Sequence, residues 1–206
     1  MILLLAILAG LLVGLAIARI QKRRWRVPPL RQAWLVFVAC LPQLLIIYLP
    51  AVHIRIADGL AAAGLIVSLI LLLVFCWFNC RLAGGWMLAL GLILNLLVMA
   101  ANGGFMPISP QTAGHLVPPA TLAALANGSR FGYKDILLPP TQTRLVWLSD
   151  RLLLPQGFPY QVAFSLGDGF IALGAFWLMA TQGMPLKNLI SPPSGQAKYL
   201  KVPRYR

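Results

Sequence analysis

The chain contains no glutamate, and its 206 residues include only four acidic and two histidine side chains. Paired carboxylates and histidine bases, the usual carriers of acid–base catalysis, are therefore scarce. No P-loop, nucleophile elbow, HExxH helix or cysteine quartet is present. The three cysteines, Cys40, Cys76 and Cys80, fall within or at the ends of apolar stretches. Cys76 and Cys80 stand one helical turn apart but lack the further Cys or His that a zinc site would use. They read as small apolar helix residues, with no disulfide expected. His53, Asp58 and His115 are too dispersed to suggest a metal. Neither a metal nor another cofactor is expected, and the enzyme classes lose ground at the outset.

Charge is also sparse. Charged residues make up 10% of the chain, against about 25% in ordinary soluble domains. Hydrophobic residues make up 60% and gather in five runs: 2–20, 32–50, 59–78, 86–101 and 162–181. A helix that crosses a bilayer needs about 20 mostly apolar residues. The runs therefore predict an all-α integral membrane protein, a five-helix bundle forming one membrane domain over residues 1–206. The uncharged stretch 2–18 is followed, not preceded, by cations. This differs from a cleaved signal, whose positive charge comes first, and an uncleaved first helix is expected.

The formal net charge of +13 reflects cations flanking spans rather than a nucleic-acid face. Arg19, Lys22, Arg23, Arg24, Arg26, Arg31, Arg81, Lys187, Lys198, Lys201, Arg204 and Arg206 fall in segments 19–31, 79–85 and 182–206. Only Arg55, Arg130, Lys134, Arg144 and Arg151 fall in segments 51–58 and 102–161. Cytoplasmic loops carry the excess of Lys and Arg. The N-terminus is thus expected outside and the C-terminus in the cytoplasm, with the tail 182–206 meeting anionic headgroups. Pro50 closes the second run and Pro42 lies within it; Gly84-Gly85 makes a tight hairpin between the third and fourth.

Residues 102–161 form an outer segment of about 60 residues, too long and too rich in apolar side chains for a structureless loop. Its prolines separate two candidate helices, Pro119–Ala126 and Thr141–Leu153. The second would place Leu145, Leu148 and Leu152 on one face, and a partly helical cap over the outer mouth is expected.

Polar groups at bilayer depth are rare and often functional. Gln43, Ser68, Asn95 and Asp168 fall at similar depths in the outer half of their runs. Asp168 lies about six residues into the last run, about 9 Å deep at 1.5 Å per residue. These four are the candidate polar layer. Cations able to reach Asp168 are Arg55, Arg130, Lys134, Arg144, Arg151 and the α-amino group of Met1; an arginine reaching down from the cap would pin it to the bundle. Ser165, Asp168, Ala172, Ala175 and Met179 share one helical face that is small enough for close approach. Gly10 and Gly14 form a GxxxG pair.

Several of these positions recur in a pattern. Asn102-Gly103-Gly104-Phe105-Met106-Pro107, His115, Arg130-Phe131-Gly132-Tyr133 and Leu166-Gly167-Asp168 resemble an uncharacterised bacterial "domain of unknown function" family of small multi-pass membrane proteins. The resemblance covers nearly the whole chain and implies a protein of the bacterial cytoplasmic membrane, without an activity. Asn102, His115, Arg130, Arg144 and Arg151 are the candidate cap contacts. The leading expectation is a non-catalytic accessory subunit or scaffold, with a membrane-protein partner or a second copy and no nucleic acid. The alternative is an enzyme or carrier that uses Asp168 on a lipid or small amphiphile at the outer leaflet.

Overall fold

The computed structural model describes residues 2–48, 56–155, 157–158 and 160–183. Pro50, His53, Arg55 and the tail from 184 onward, including Lys187, Lys198, Lys201, Arg204 and Arg206, lie outside them.

The protein is mostly helical. Five long helices are α1 (Ile2–Ile20), α2 (Trp34–Tyr48), α3 (Asp58–Asn79), α4 (Gly85–Ala101) and α7 (Leu166–Ala180). Among the described residues, α1 and α3 are long and apolar enough to cross a membrane; the other three are shorter. They pack in the order α1–α7–α4–α3–α2, so the last helix in sequence lies between the first and fourth.

Glycine explains that placement. A Cβ on Gly174 of α7 would lie 2.7 Å from the Leu88 backbone nitrogen of α4, and one on Gly167 would collide with the Asn95 side chain. On the other flank, a Cβ on Gly14 of α1 would lie 2.6 Å from the Met179 carbonyl. Small residues thus bring backbones together on both sides of α7. The GxxxG pair Gly10 and Gly14 faces Phe176 and Met179. The indole Nε1 of Trp25 donates to the Met179 carbonyl at 3.2 Å.

The connection between α4 and α7 departs from an all-helical reading. It contains two short helices, α5 (Pro110–Ala113) and α6 (Pro119–Ala123), and five strand fragments. The strands are β1 (Met106–Ile108), β2 (Arg130–Phe131), β3 (Asp135–Leu137), β4 (Leu152–Leu153) and β5 (Ala163–Phe164). β1 pairs in parallel with β3, and β3 pairs antiparallel with β2. β4 and β5 form a separate antiparallel pair. The helix expected from Pro119 to Ala126 ends early, at Ala123.

The helix expected over Thr141–Leu153 is not formed. Its place is taken by turns, one 3-10 turn at Val146–Leu148, and β4. The backbone groups a helix would use there have distant partners. Arg144 N–H and C=O both bond to the Asn102 side chain. Asp150 N–H donates to the Pro107 carbonyl at 3.0 Å. Leu145 adopts a left-handed conformation, φ 56 and ψ 46, which L-residues take uncommonly and which breaks a helix.

α7 also begins later than its apolar run. Ser165 caps it: its hydroxyl accepts from Asp168 N–H, while the Asp168 carboxylate accepts from Ser165 N–H. This reciprocal capping box starts the helix at Leu166. Asp168 therefore stands in the first turn of α7 rather than six residues inside a span.

Candidate functional site

β1 is the organising element. It leaves α4 through Asn102-Gly103-Gly104, where Gly103 (φ 77) and Gly104 (φ 91) turn the chain in conformations glycine tolerates without strain. Met106, Pro107 and Ile108 are then fully buried. On one edge Met106 N–H donates to the Lys134 carbonyl at 2.8 Å, and Met106 stands opposite Asp135. On the other edge Asp150 is bridged to Ile108. One three-residue strand thus brings residues from distant points of the connection to the end of α4.

Their side chains meet Asp168. Lys134 Nζ lies 2.8 Å from Asp150 Oδ2, 3.5 Å from Asp168 Oδ2 and 3.9 Å from Asp135 Oδ1. Among the described residues, three of the four aspartates therefore surround the Lys134 ammonium. Behind them, Asn95 Nδ2 donates to Asp168 Oδ1 at 2.8 Å, and the Ser165 hydroxyl donates to Asn95 Oδ1 at 2.8 Å. Asn95 stands six residues before the end of α4, about 9 Å along the axis at 1.5 Å per residue. The start of α7 is thus set below the end of α4, and the connecting segment descends beside it.

Charge is balanced unevenly. Asp150 has a side chain only 1% exposed, Asp135 17% and Asp168 26%. Burial acts first on Asp135 and lifts its carboxyl from the ordinary 3.8 to about 7, with Lys134 opposing and the other two aspartates reinforcing the rise. Burial likewise raises Asp150, again against Lys134. Burial would lower Lys134, but attraction from Asp150, Asp135 and Asp168 outweighs it and holds the ammonium above its ordinary value. Lys134 is 40% exposed, and it lines a cavity that it shares with Asp135 and Asp168.

This cavity has a volume of about 650 Å³. Its wall takes apolar side chains from α1, α3, α4 and α7, including Leu3, Leu65, Leu69, Leu92 and Ile171. Asn95, Tyr133, Lys134, Asp135, Gln161 and Asp168 supply polar groups, with Gln43 of α2 a further one.

The sequence-derived candidates separate into groups. Asn95 and Asp168 bond directly. Gln43 Nε2 donates to Ser68 Oγ at 2.9 Å, and Ser68 in turn donates to the Ala39 carbonyl, a second pair that ties α2 to α3. Asn102 clamps Arg144. Arg130 pairs with Asp58 at 3.5 Å and lies over the Phe105 ring, 5.5 Å from its centroid. Arg151 lies 4.5 Å over the Trp147 ring. His115 is exposed beyond α5. The cation that reaches Asp168 is a lysine, Lys134, where an arginine was favoured. Asp135 and Asp150 were missed as site residues. The available signal was arithmetic: in a chain with four carboxylates, two beside a cation in a buried segment carry weight. Among the described residues, no three His, Cys, Asp or Glu side chains are grouped to hold a metal.

A family of unknown function, DUF5317, matches residues 28–180, and the chain belongs to it. No curated protein and no solved structure matches the chain. The family match runs from before α2 to the end of α7 and includes every residue of the carboxylate–lysine cluster.

Proposed function

We propose that this is a multi-pass protein of a bacterial cytoplasmic membrane that binds an amphiphile from the outer leaflet without transforming it. In this reading the five long helices span the bilayer, with the N-terminus outside and the C-terminus in the cytoplasm. The exposed surface supports it. Leu3, Leu4, Leu5, Leu8, Leu12 and Leu15 of α1 are all exposed, while its buried residues are Gly10, Gly14 and Ala18. A helix that packs by its small residues and displays its leucines suits a hydrocarbon solvent. The distribution of Lys and Arg supports the orientation.

The cavity carries the functional reading. It joins an apolar wall to one charged end, the arrangement that accommodates a chain and a head group. Its volume of about 650 Å³ falls in the range of pockets that take small ligands, which a scaffold does not require.

Binding rather than catalysis follows from the chemistry present. Ser165 Oγ is engaged by Asn95 and by the Asp168 backbone. Lys134 is held as an ammonium and is no nucleophile. His115 is exposed and is not among the residues lining the cavity.

The test is native mass spectrometry with lipid extraction after purification in mild detergent. A stoichiometric amphiphile should be retained by the wild type and lost from a cavity-filling variant such as Ile171→Trp that remains folded. Retention of the same lipids by both would leave only annular lipid and defeat the binding reading.

A further inference from the structure

We propose that the head group selected at the charged end of the cavity is a primary ammonium, seated between Asp135 and Asp168. The inference rests on the amphiphile-binding reading above and names its ligand class.

The first argument is the imbalance of charge. Among the described residues three carboxylates face one ammonium, and Lys134 is bound closely only to Asp150, the carboxylate that is nearly inaccessible. Its contacts with Asp168 and Asp135, at 3.5 and 3.9 Å, are longer. Those two carboxylates are the ones that line the cavity. The second argument is unanswered hydrogen-bonding capacity. Asp135, which lines the cavity, has its Oδ1 buried with no hydrogen-bond partner among the described residues, a costly state for an ionised oxygen. An anionic head such as a phosphate would add repulsion to that imbalance. A neutral head would leave it unchanged. An ammonium brings one positive charge and three N–H donors.

Without a ligand, a proton answers the excess. Burial raises both the Asp135 and the Asp150 carboxyl, and a proton on one of them relieves the repulsion among the carboxylates. Facing this pair are Lys134 from the same segment and Asp168 from α7, with neutral Asn95 and Ser165 behind Asp168 and Tyr133 beside Lys134. Arg130 of β2 is directed to Asp58 and Phe105. Arrival of the ammonium removes the reason for that proton. The exchange balances as protein–H plus R–NH3+ giving protein·R–NH3+ plus H+.

The experiment is isothermal titration of the full chain in a neutral maltoside detergent. The probes are dodecylammonium and dodecyl phosphate, at pH 6 and pH 8, with protein-free micelles as the partition control. Dodecylammonium should saturate at one site and bind more tightly than dodecyl phosphate. With Asp135 titrating at about 7, its affinity should rise about tenfold from pH 6 to pH 8, with proton release at pH 6 detected as a dependence on buffer ionisation enthalpy. D168N should weaken binding at both pH values, and D135N should abolish the pH dependence. Ser165 remains the cap of α7, and an asparagine amide oxygen at position 168 can still accept from Ser165 N–H, so D168N retains the helix start. Equal or tighter binding of dodecyl phosphate would overturn the ammonium assignment and leave the amphiphile reading standing. Failure of both probes, with a native amphiphile still retained, would also overturn the assignment alone. Failure of both probes with nothing retained would overturn both readings.

Discussion

Asn102 closes α4 by giving its side-chain amide to the backbone of Arg144. Its Nδ2 donates to the Arg144 carbonyl at 2.8 Å, and its Oδ1 accepts from Arg144 N–H at 2.9 Å. The same Nδ2 also donates to Val98, one turn back in the helix. Asn79, at the end of α3, repeats the device. It donates to the Arg31 carbonyl at 2.9 Å, accepts from Arg31 N–H at 2.8 Å, and donates to Phe75 one turn back. α3 and α4 form a hairpin, so the two clamps stand at opposite ends of the helical layer. Each fastens a loop to a helix terminus through backbone groups that water would otherwise take.

Replacing either asparagine by alanine strands these backbone groups at a buried position. N102A and N79A should each lower stability by about 1–3 kcal/mol, read as a drop in thermal midpoint in detergent. Limited proteolysis separates them: N102A should expose 139–151 to cleavage and N79A should expose 21–33. Unchanged cleavage in both would mean that the clamps are incidental.

Gly103 and Gly104 share a left-handed conformation but differ in space. A Cβ at Gly103 meets nothing within 4 Å, whereas one at Gly104 would lie 2.5 Å from the Ala62 Cβ. G103A should cost only the backbone penalty of about 1–2 kcal/mol. G104A adds a collision with α3 and should sharply reduce the yield of folded protein in size-exclusion chromatography. Equal yields would show that β1 does not depend on this close approach.

Among the described residues, Lys134 is the cation that pairs with Asp150, whose side chain is 1% exposed. K134M removes that partner and should destabilise by about 3–5 kcal/mol. The double variant K134M/D150L removes both buried charges and should recover a large part of the loss. Thermal midpoints of the three proteins settle the comparison, and a double variant no better than K134M would count against a buried ion pair.

The raised carboxyl of Asp135 gives stability a definite slope with pH. Between its ordinary value of 3.8 and its folded value of about 7, the folded state holds more protons than the unfolded state. Stability then falls as pH rises, because the slope follows protons bound unfolded minus folded. Asp150 is shifted in the same direction. The contribution is present below pH 4 and lost as pH rises through about 7. D135N, a permanent stand-in for the neutral carboxyl, should flatten the fall in thermal midpoint from pH 4 to pH 8. An equally steep fall in D135N would exclude Asp135 as its source.

Much of this architecture is legible in the sequence. Runs of apolar residues predict long helices, because a 3.6-residue coil is the simplest way to satisfy a backbone among apolar side chains. Five long helices coincide with those runs to within a few residues at each end. The small residues Gly10, Gly14, Ala172 and Ala175 mark packing faces for the same reason: close approach needs no partner's identity to be foreseen. Asn95 and Asp168 stood out in the sequence as polar residues within apolar runs, and the structure bonds them to each other.

The connection between α4 and α7 was not legible in that way. Its strands are two or three residues long, too short to show a period of two. The helix suggested by Leu145, Leu148 and Leu152 lost to Asn102 and Pro107, which are distant in sequence and take the hydrogen bonds it would have used. The late start of α7 was set by the Ser165–Asp168 box, hidden inside an apolar run. Composition and periodicity determined that this chain builds long apolar helices with few charges among them, since those properties act residue by residue. That three of its four aspartates meet around Lys134 at the edge of one cavity was decided only by tertiary structure. It depends on β1 carrying Lys134 and Asp135 on one side and Asp150 on the other, a pairing across about 45 residues that no local pattern records.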